Sequence, residues 1–432
     1  MNKPKNENYA GVVVALTSII PLEGMNNVVH ANIFGNLVIV GKDSKEGDVG
    51  IFFPIETQLS NKYLEENNLY RKQELNKDKT LKGYFEENGR IRAMKFAGKF
   101  KSMGLFMPLP SVSFALSKKE ELKVGDIFDE INGMEICKKY FNPKNEPKGP
   151  NKTKQTKHKK VESKLIEKQW NFHIDTPQLG RTIHDLSPDD LCDVSTKIHG
   201  SSWISGKVLC KRKLNLFEKV LHKLGVNIRT EEYDYIWSSR RVVKNLNMDE
   251  KIHFYGEDLW GMVHEKVKGF LDDGITFYGE VVGQLPNGKW IQKDYDYGTN
   301  PGEFGIYFYR ITHTNSAGKV FEWSMKQVRD FCKMNGLNIV PQLYYGTLGD
   351  WLNKRNIEWT KENFHEVLLK SLQNEYLEKD SVLCKNKVPE EGIVLRRESS
   401  EIDVKKLKAF RFFEEEGKQI DSGEVDMETE ES

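Results

Sequence analysis

Ser195-Thr196-Lys197-Ile198-His199-Gly200-Ser201-Ser202 is the stretch on which the reading of this 432-residue chain turns. It sets a lysine between an apolar approach, Leu191 and Val194, and a small polar exit that contains a glycine. A lysine becomes a nucleophile only when its ammonium gives up a proton, which burial and neighbouring cations bring about. The small residues that follow would let a nucleotide phosphate come close to the backbone. An ordinary solvated strand end also looks like this, so the octet acquires meaning only from its company.

That company lies downstream, in a fixed order. Ser238-Ser239-Arg240-Arg241 comes first, then Phe277-Tyr278-Gly279-Glu280-Val281-Val282-Gly283 and Gly305-Ile306-Tyr307-Phe308-Tyr309-Arg310-Ile311. Glu391-Gly392-Ile393-Val394-Leu395-Arg396 and Lys406-Leu407-Lys408 complete the set. Together with the octet they resemble the covalent nucleotidyltransferases: RNA ligases, DNA ligases and mRNA capping enzymes. In that family a K-x-[DH]-G lysine takes up a nucleoside monophosphate through a phosphoramide bond. The resemblance spans roughly residues 170–416.

The resemblance implies a role for each matching position. Lys197 would be the nucleophile. His199 stands where DNA ligases and capping enzymes carry aspartate; the histidine form is similar to RNA ligases, and it is placed at the nucleotide without a defined task. Arg240 would meet a phosphate or the nucleic-acid end, with Arg241 an equally good register. Glu280 would reach the ribose or a metal-bound water, and Tyr309 would stack on the purine. Since Tyr307, Phe308 and Tyr309 alternate faces of a strand, at least one belongs to the core. Arg310 departs from the family, which has an acidic residue there. Glu391 would be a metal-site carboxylate, with Glu390 facing the other way. Lys406 and Lys408, two apart and so on one face, would act with Lys197 in catalysis by binding the α-phosphate. ATP and Mg²⁺ or Mn²⁺ are the implied cofactors, the metal held by Glu280 and Glu391.

Ahead of the lysine, residues 9–110 read as short strands punctuated by turns such as Phe34-Gly35-Asn36 and Lys45-Glu46-Gly47-Asp48. Such a pattern suggests a small barrel, of which the OB fold is the usual nucleic-acid version. Phe52-Phe53-Pro54-Ile55-Glu56-Thr57-Gln58-Leu59, Gly89-Arg90-Ile91-Arg92 and Ser102-Met103-Gly104-Leu105 resemble the N-terminal OB domain of one clade of RNA ligases. Arg90, Arg92 and Lys95, with Lys99 and Lys101, form a basic stripe suited to an RNA backbone, to which Arg240 would add.

The expected class is therefore α+β: an OB-like barrel over 1–137, a basic flexible linker over 138–168, a nucleotidyltransferase domain of antiparallel sheets plus helices (ATP-grasp-like) over 169–416, and an acidic disordered tail over 417–432. Charge supports the partition. A formal net charge of +1 conceals nine lysines against one glutamate in 138–160, and nine acids against one lysine in 414–432. In the second domain Ser187-Pro188-Asp189-Asp190-Leu191 reads as a helix start. Asp258–Leu271, Trp323–Asn335 and Thr360–Glu378 read as helices. Gly283-Gln284-Leu285-Pro286-Asn287-Gly288-Lys289 mimics phosphate-loop spacing, but Trp290 replaces the metal-binding hydroxyl and Pro-Asn-Gly is a turn.

Domain order separates the family members. DNA ligases and capping enzymes place their OB domain after the last lysine motif, whereas the β-rich segment here comes first. The resemblance thus implies an RNA ligase that joins 3′-hydroxyl and 5′-phosphate ends of nicked or broken RNA. A GTP-using capping guanylyltransferase or a DNA ligase is the enzyme alternative, and a catalytically inactive RNA-binding protein the non-enzyme one. No run of 18 apolar residues exists, so no membrane span and no membrane partner are expected. Five cysteines without C-x-x-C spacing point to a reducing, cytoplasmic setting, a host cytoplasm if the source is viral, and a monomer is expected.

Overall fold

The computed structural model describes residues 3–142, 164–245 and 257–422. Most of the expected basic linker and the end of the acidic tail lie outside these residues.

In the N-terminal part, Gly11–Ala15 is the organising strand. It pairs on one side with Ile127–Phe128 and on the other with Val49–Phe53, and Leu105–Pro108 completes the four-stranded sheet. Every residue from Gly11 to Val14 is buried, because the strand has a core on each face. Val13 joins Ile51 and Phe53 on one side, while Val12 and Val14 join Ala31, Val38 and Phe52 on the other. That second core is roofed by a three-stranded sheet of Ile19–Pro21, Val28–Ile33 and Asn36–Gly41. The segment Gly89 to Lys95 becomes a strand only from Ala93 to Phe96, paired with Phe100–Met103, while Arg90 makes an isolated bridge to Gln58.

Two antiparallel sheets organise the rest. One runs in the order Gln342–Thr347, Leu191–Thr196, Gly392–Arg397, Asp403–Lys408; the other in the order Glu231–Ser238, Ser201–Lys211, Ile275–Gly283, Phe304–Thr314, Val320–Glu322. The octet around Lys197 is thus the passage from the centre of the first sheet to the centre of the second. Gly200 makes that passage possible: a Cβ there would lie 2.5 Å from the Val281 carbonyl oxygen.

The expected helices form with trimmed ends. Leu259–Val267 is capped by the Asp258 carboxylate and buries Leu259, Val263 and Val267. Met325–Met334 starts at a Ser324–Gln327 capping box and stops before Gly336, whose φ is 65°. Three expectations need correction. Ser187–Leu191 is a turn feeding a strand, because the Asp190 carboxylate accepts the Ser187 N–H and Leu191 enters the sheet. The long helix begins at Phe364, with Asn363 rather than Thr360 at its cap position. The acidic tail is helical as far as Ser422: the helix Phe410–Ser422 holds because Phe410 and Phe412 are buried.

Candidate active site

Lys197 leaves the end of Leu191–Thr196, where its own N–H donates to the Gly392 carbonyl at 2.9 Å. Its side chain is drawn to the strand beyond: the ammonium lies 3.0 Å from Glu391 Oε2. The other oxygen of the same carboxylate sits 2.9 Å from the Lys408 ammonium. Gly392 brings these groups together. It pairs with Lys408 at φ 143°, and a Cβ on it would fall 2.0 Å from the Leu407 carbonyl oxygen. One buried carboxylate therefore bridges two lysines 211 positions apart in the chain (408 − 197).

Electrostatics follow from that bridge. Burial alone would raise the Glu391 pKa, but Lys197, Lys408 and His199 outweigh it and hold the carboxyl at about 2. Burial works against the Lys408 ammonium too, yet Glu391 and Glu416 overcome it and raise its pKa. Lys406, on the same strand face, has Glu391 as a weaker influence; burial, Lys408, Lys197 and Arg240 push it down to about 7. Two lysines two residues apart thus sit in opposite protonation regimes. His199 is wedged edge-on between the rings of Tyr295 and Phe412, each 4.8 Å away, with its Nδ1 3.9 Å from Glu391. Burial keeps its pKa below the usual histidine value.

A cavity of about 660 Å³ opens over this cluster. Lys197, Arg240, Arg241, Glu280, Tyr309, Glu391, Lys406 and Lys408 all line it, as do N-terminal residues from Asn6 to Tyr140. Tyr309 gets there by a β-bulge: Tyr278 pairs with Arg310 and Gly279 with Phe308, which leaves Tyr309 as the extra residue. Bulges re-aim side chains beside active sites. Phe308 goes into the core, fully buried. Glu280 lies in register with Ser202 and Tyr307 on the neighbouring strands. Arg240 and Arg241 both pair with Asp175, at 2.8 and 2.7 Å, so the two registers remain equivalent.

Sequence reading passed over several lining residues. His173 packs edge-on to Tyr309 with ring centroids 5.1 Å apart, and Asp175 holds both arginines. They come from Trp170-Asn171-Phe172-His173-Ile174-Asp175, which alternates apolar and polar residues as a strand would but forms none; that alternation is their one signal. Glu416, the last residue of the expected nucleotidyltransferase domain and part of no motif, lies 3.7 Å from Lys408. Arg310, out of family pattern, proves to be a floor residue: it pairs with Glu322 and lies 4.3 Å over the Tyr278 ring.

The basic stripe is partly paired with acids of the C-terminal helix. Arg90 is buried and held by Glu56 at 2.8 Å and by Asp421 at 2.8 Å. Arg92 also pairs with Asp421, and Lys95 with Glu414. The structure does not bring these residues to the cluster around Lys197.

Among the described residues no group of three or more His, Cys, Asp or Glu could cage a metal ion. Glu280 and Glu391 both line the cavity, and their oxygen donors suit a hard cation that keeps waters and phosphate oxygens as its remaining ligands.

Comparison with known proteins adds family and fold. A family profile described as RNA ligase matches residues 193–410, just over half of the chain. Structures of a Naegleria gruberi RNA ligase superpose over nearly everything. A variant with AMP and Mn gives a TM-score of 0.58 at 15% identity, covering 94% of this chain and 98% of that one. A variant with ATP and Mn gives 0.59 at 16%, and the protein with PPi 0.57 at 16%, each with the same coverage. No curated protein matches the sequence. No helix among the described residues is long and apolar enough to cross a membrane.

Proposed function

Because this chain belongs to the RNA ligase family, we propose that it seals RNA 3′-hydroxyl and 5′-phosphate ends with ATP, and that Lys197 carries AMP between the steps. The observation that supports this most directly is the bridge Lys197–Glu391–Lys408 with Lys406 beside it, at the floor of a cavity large enough for a nucleotide.

Lys197, once deprotonated, attacks the α-phosphorus of ATP; the N–P bond forms as the bond to pyrophosphate breaks. Glu391 aims the amine but is a weak base at a pKa of about 2. Lys406, poised at about 7, is the group able to give and take a proton near neutrality. Lys408, permanently charged, offsets negative charge that grows on the α-phosphate. An RNA 5′-phosphate oxygen then displaces Lys197 from phosphorus. Finally a 3′-hydroxyl attacks the activated RNA 5′-phosphate, and AMP leaves. Tyr309 stacks on the adenine, Glu280 and His199 lie along the nucleotide, and Arg240 takes a phosphate or the RNA end. A divalent ion, Mg²⁺ or Mn²⁺, would be held by Glu280 and Glu391 and would supply charge neutralisation at the phosphates.

Residues 1–137 serve in this reading as the OB-like RNA-binding part, with Arg90, Arg92 and Lys95 its cations. Residues 169–416 serve as the adenylyltransferase, and the protein acts as a monomer in a cytoplasm.

ATP and GTP, each labelled at the α-phosphate, provide the test. Protein-bound label from ATP that survives alkali, is released by acid and disappears in Lys197→Ala is the expected result. Label from GTP would favour capping, and no label from either would favour a silent RNA binder.

A further inference from the structure

The helix Phe410–Ser422 begins two residues beyond Lys408 and crosses to the N-terminal part. Its two halves are held differently. Phe410 and Phe412 are buried, and the rings of Phe412 and Phe413 lie 4.5 and 4.9 Å from the Lys408 ammonium. The acidic half rests on polar contacts. Asp421 reaches Arg90 at 2.8 Å and Arg92 at 2.7 Å, Glu414 reaches Lys95 at 3.0 Å, and the Asn142 amide donates to the Ile420 carbonyl at 2.5 Å. Arg92 and Lys95 keep 40% of their side chains in solvent, so these pairs are weak and yield to salt. Gly417 lies inside this unbroken helix, between Glu414 and Asp421, and lowers its intrinsic stability.

We infer that this acidic half occupies the tract in which the N-terminal part holds an RNA backbone, and that an incoming RNA strand displaces it from Arg92 and Lys95. The inference rests on the RNA-joining reading above. Glu414 and Asp421, seven residues apart, present carboxylates about 10 Å apart along one side of the helix, the kind of spaced negative charge a nucleic-acid strand also offers. RNA phosphates compete well for such cations because their neutralisation releases condensed counterions, a gain that two carboxylates do not provide. The exchange also reaches the reaction centre. Glu416 sits 3.7 Å from Lys408, and lifting the helix withdraws that carboxylate, so Lys408 keeps Glu391 as its acidic partner and turns more of its charge toward phosphate.

The test uses the full chain and a fluorescent single-stranded RNA bearing a 5′-phosphate. The double variant Glu414→Gln/Asp421→Asn should bind it about fivefold tighter at low salt, the gap closing as salt rises. Self-adenylylation from ATP, which needs no RNA, shows that the double variant is folded and takes nucleotide. In the unaltered protein, RNA should speed hydrogen exchange at the backbone amides of 418–422, a readout independent of any variant. Equal or weaker RNA binding by a folded double variant, or unaltered exchange, overturns the inference and makes the helix a fixed strut. If neither protein binds RNA, the inference falls with the RNA reading. If RNA displaces the helix but ATP leaves no label, the ligase reading alone falls.

Discussion

Glu391 is the residue on which the cluster depends, since its single negative charge separates two ammonium groups. Replacing it with glutamine leaves Lys197 and Lys408 facing each other across a buried amide. Breaking a buried pair this way costs about 3 kcal/mol, and thermal unfolding should reveal it together with loss of the ATP label. The carboxyl carries a linkage sign as well. Its pKa in the fold, about 2, is below the ordinary 4.5, so the stability it contributes is complete above pH 4.5 and disappears as pH falls toward 2. Lys406 has the opposite history. Held near 7 instead of 10.5, it binds less proton in the fold than in the unfolded chain between those values, so its part of the stability rises with pH there. An anion placed beside it raises its pKa again, so ATP binding between pH 7 and 8 should take up protons. Calorimetric titration in two buffers of different ionisation enthalpy would measure this, and Lys406→Met should abolish most of the difference. These residues were legible in sequence because the motif order marks them out. His173 and Asp175 were not: Trp170 to Asp175 alternates like a half-solvated strand, and nothing in that pattern says that its polar side faces a site.

At the scale of the element, geometry comes from two glycines and a bulge. Gly392→Ala would set a methyl 2.0 Å from the Leu407 oxygen in a conformation that side chains rarely adopt. Strain of this kind costs about 1–3 kcal/mol, and the strand must shift away from Lys408 to relieve it. The expected outcome is a soluble protein with lower melting temperature and an adenylylation rate at least tenfold down, checked by a labelling time course. A rate within twofold of the parent would mean that strand register is not what sets the site. Sequence marked the strands that carry motifs, around Glu280, Tyr309, Glu391 and Lys406, but not Glu231–Ser238 or Gln342–Thr347, which carry none. It failed at Ser187–Leu191, where a good capping pattern lost to pairing on both edges of the strand Leu191–Thr196. It failed again at the last helix, where acidic composition hid three phenylalanines that pin its first turn.

Across the whole molecule, the two parts are clasped by a few specific contacts. Arg181 donates to the Glu7 and Ala10 carbonyls and lies 5.9 Å from the Phe34 ring, while Gln373 donates to the Gly35 carbonyl at 2.8 Å. Arg181→Ala leaves those acceptors without their donor, at about 1–3 kcal/mol. Sealing of nicked RNA should suffer more than formation of the lysyl adduct, because the RNA has to be gripped by both parts at once; gel assays of the two steps on one preparation would compare them. Equal losses in both steps would mean that the clasp supports folding alone. None of these contacts was legible beforehand, since each pairs positions far apart in the chain with no common motif.

The strand that presents Lys197 is flanked on one side by 342–347 and on the other by 392–397, so both neighbours are synthesised long after it. While a ribosome is still making the chain, that strand waits with both edges bare, and the amine has no counter-charge until position 391 has left the exit tunnel. A nascent polypeptide stalled at residue 390 should therefore take no label from ATP, and competence should arrive abruptly once Lys408 emerges. Chains that end before Lys408 are then expected to be inert toward nucleotide.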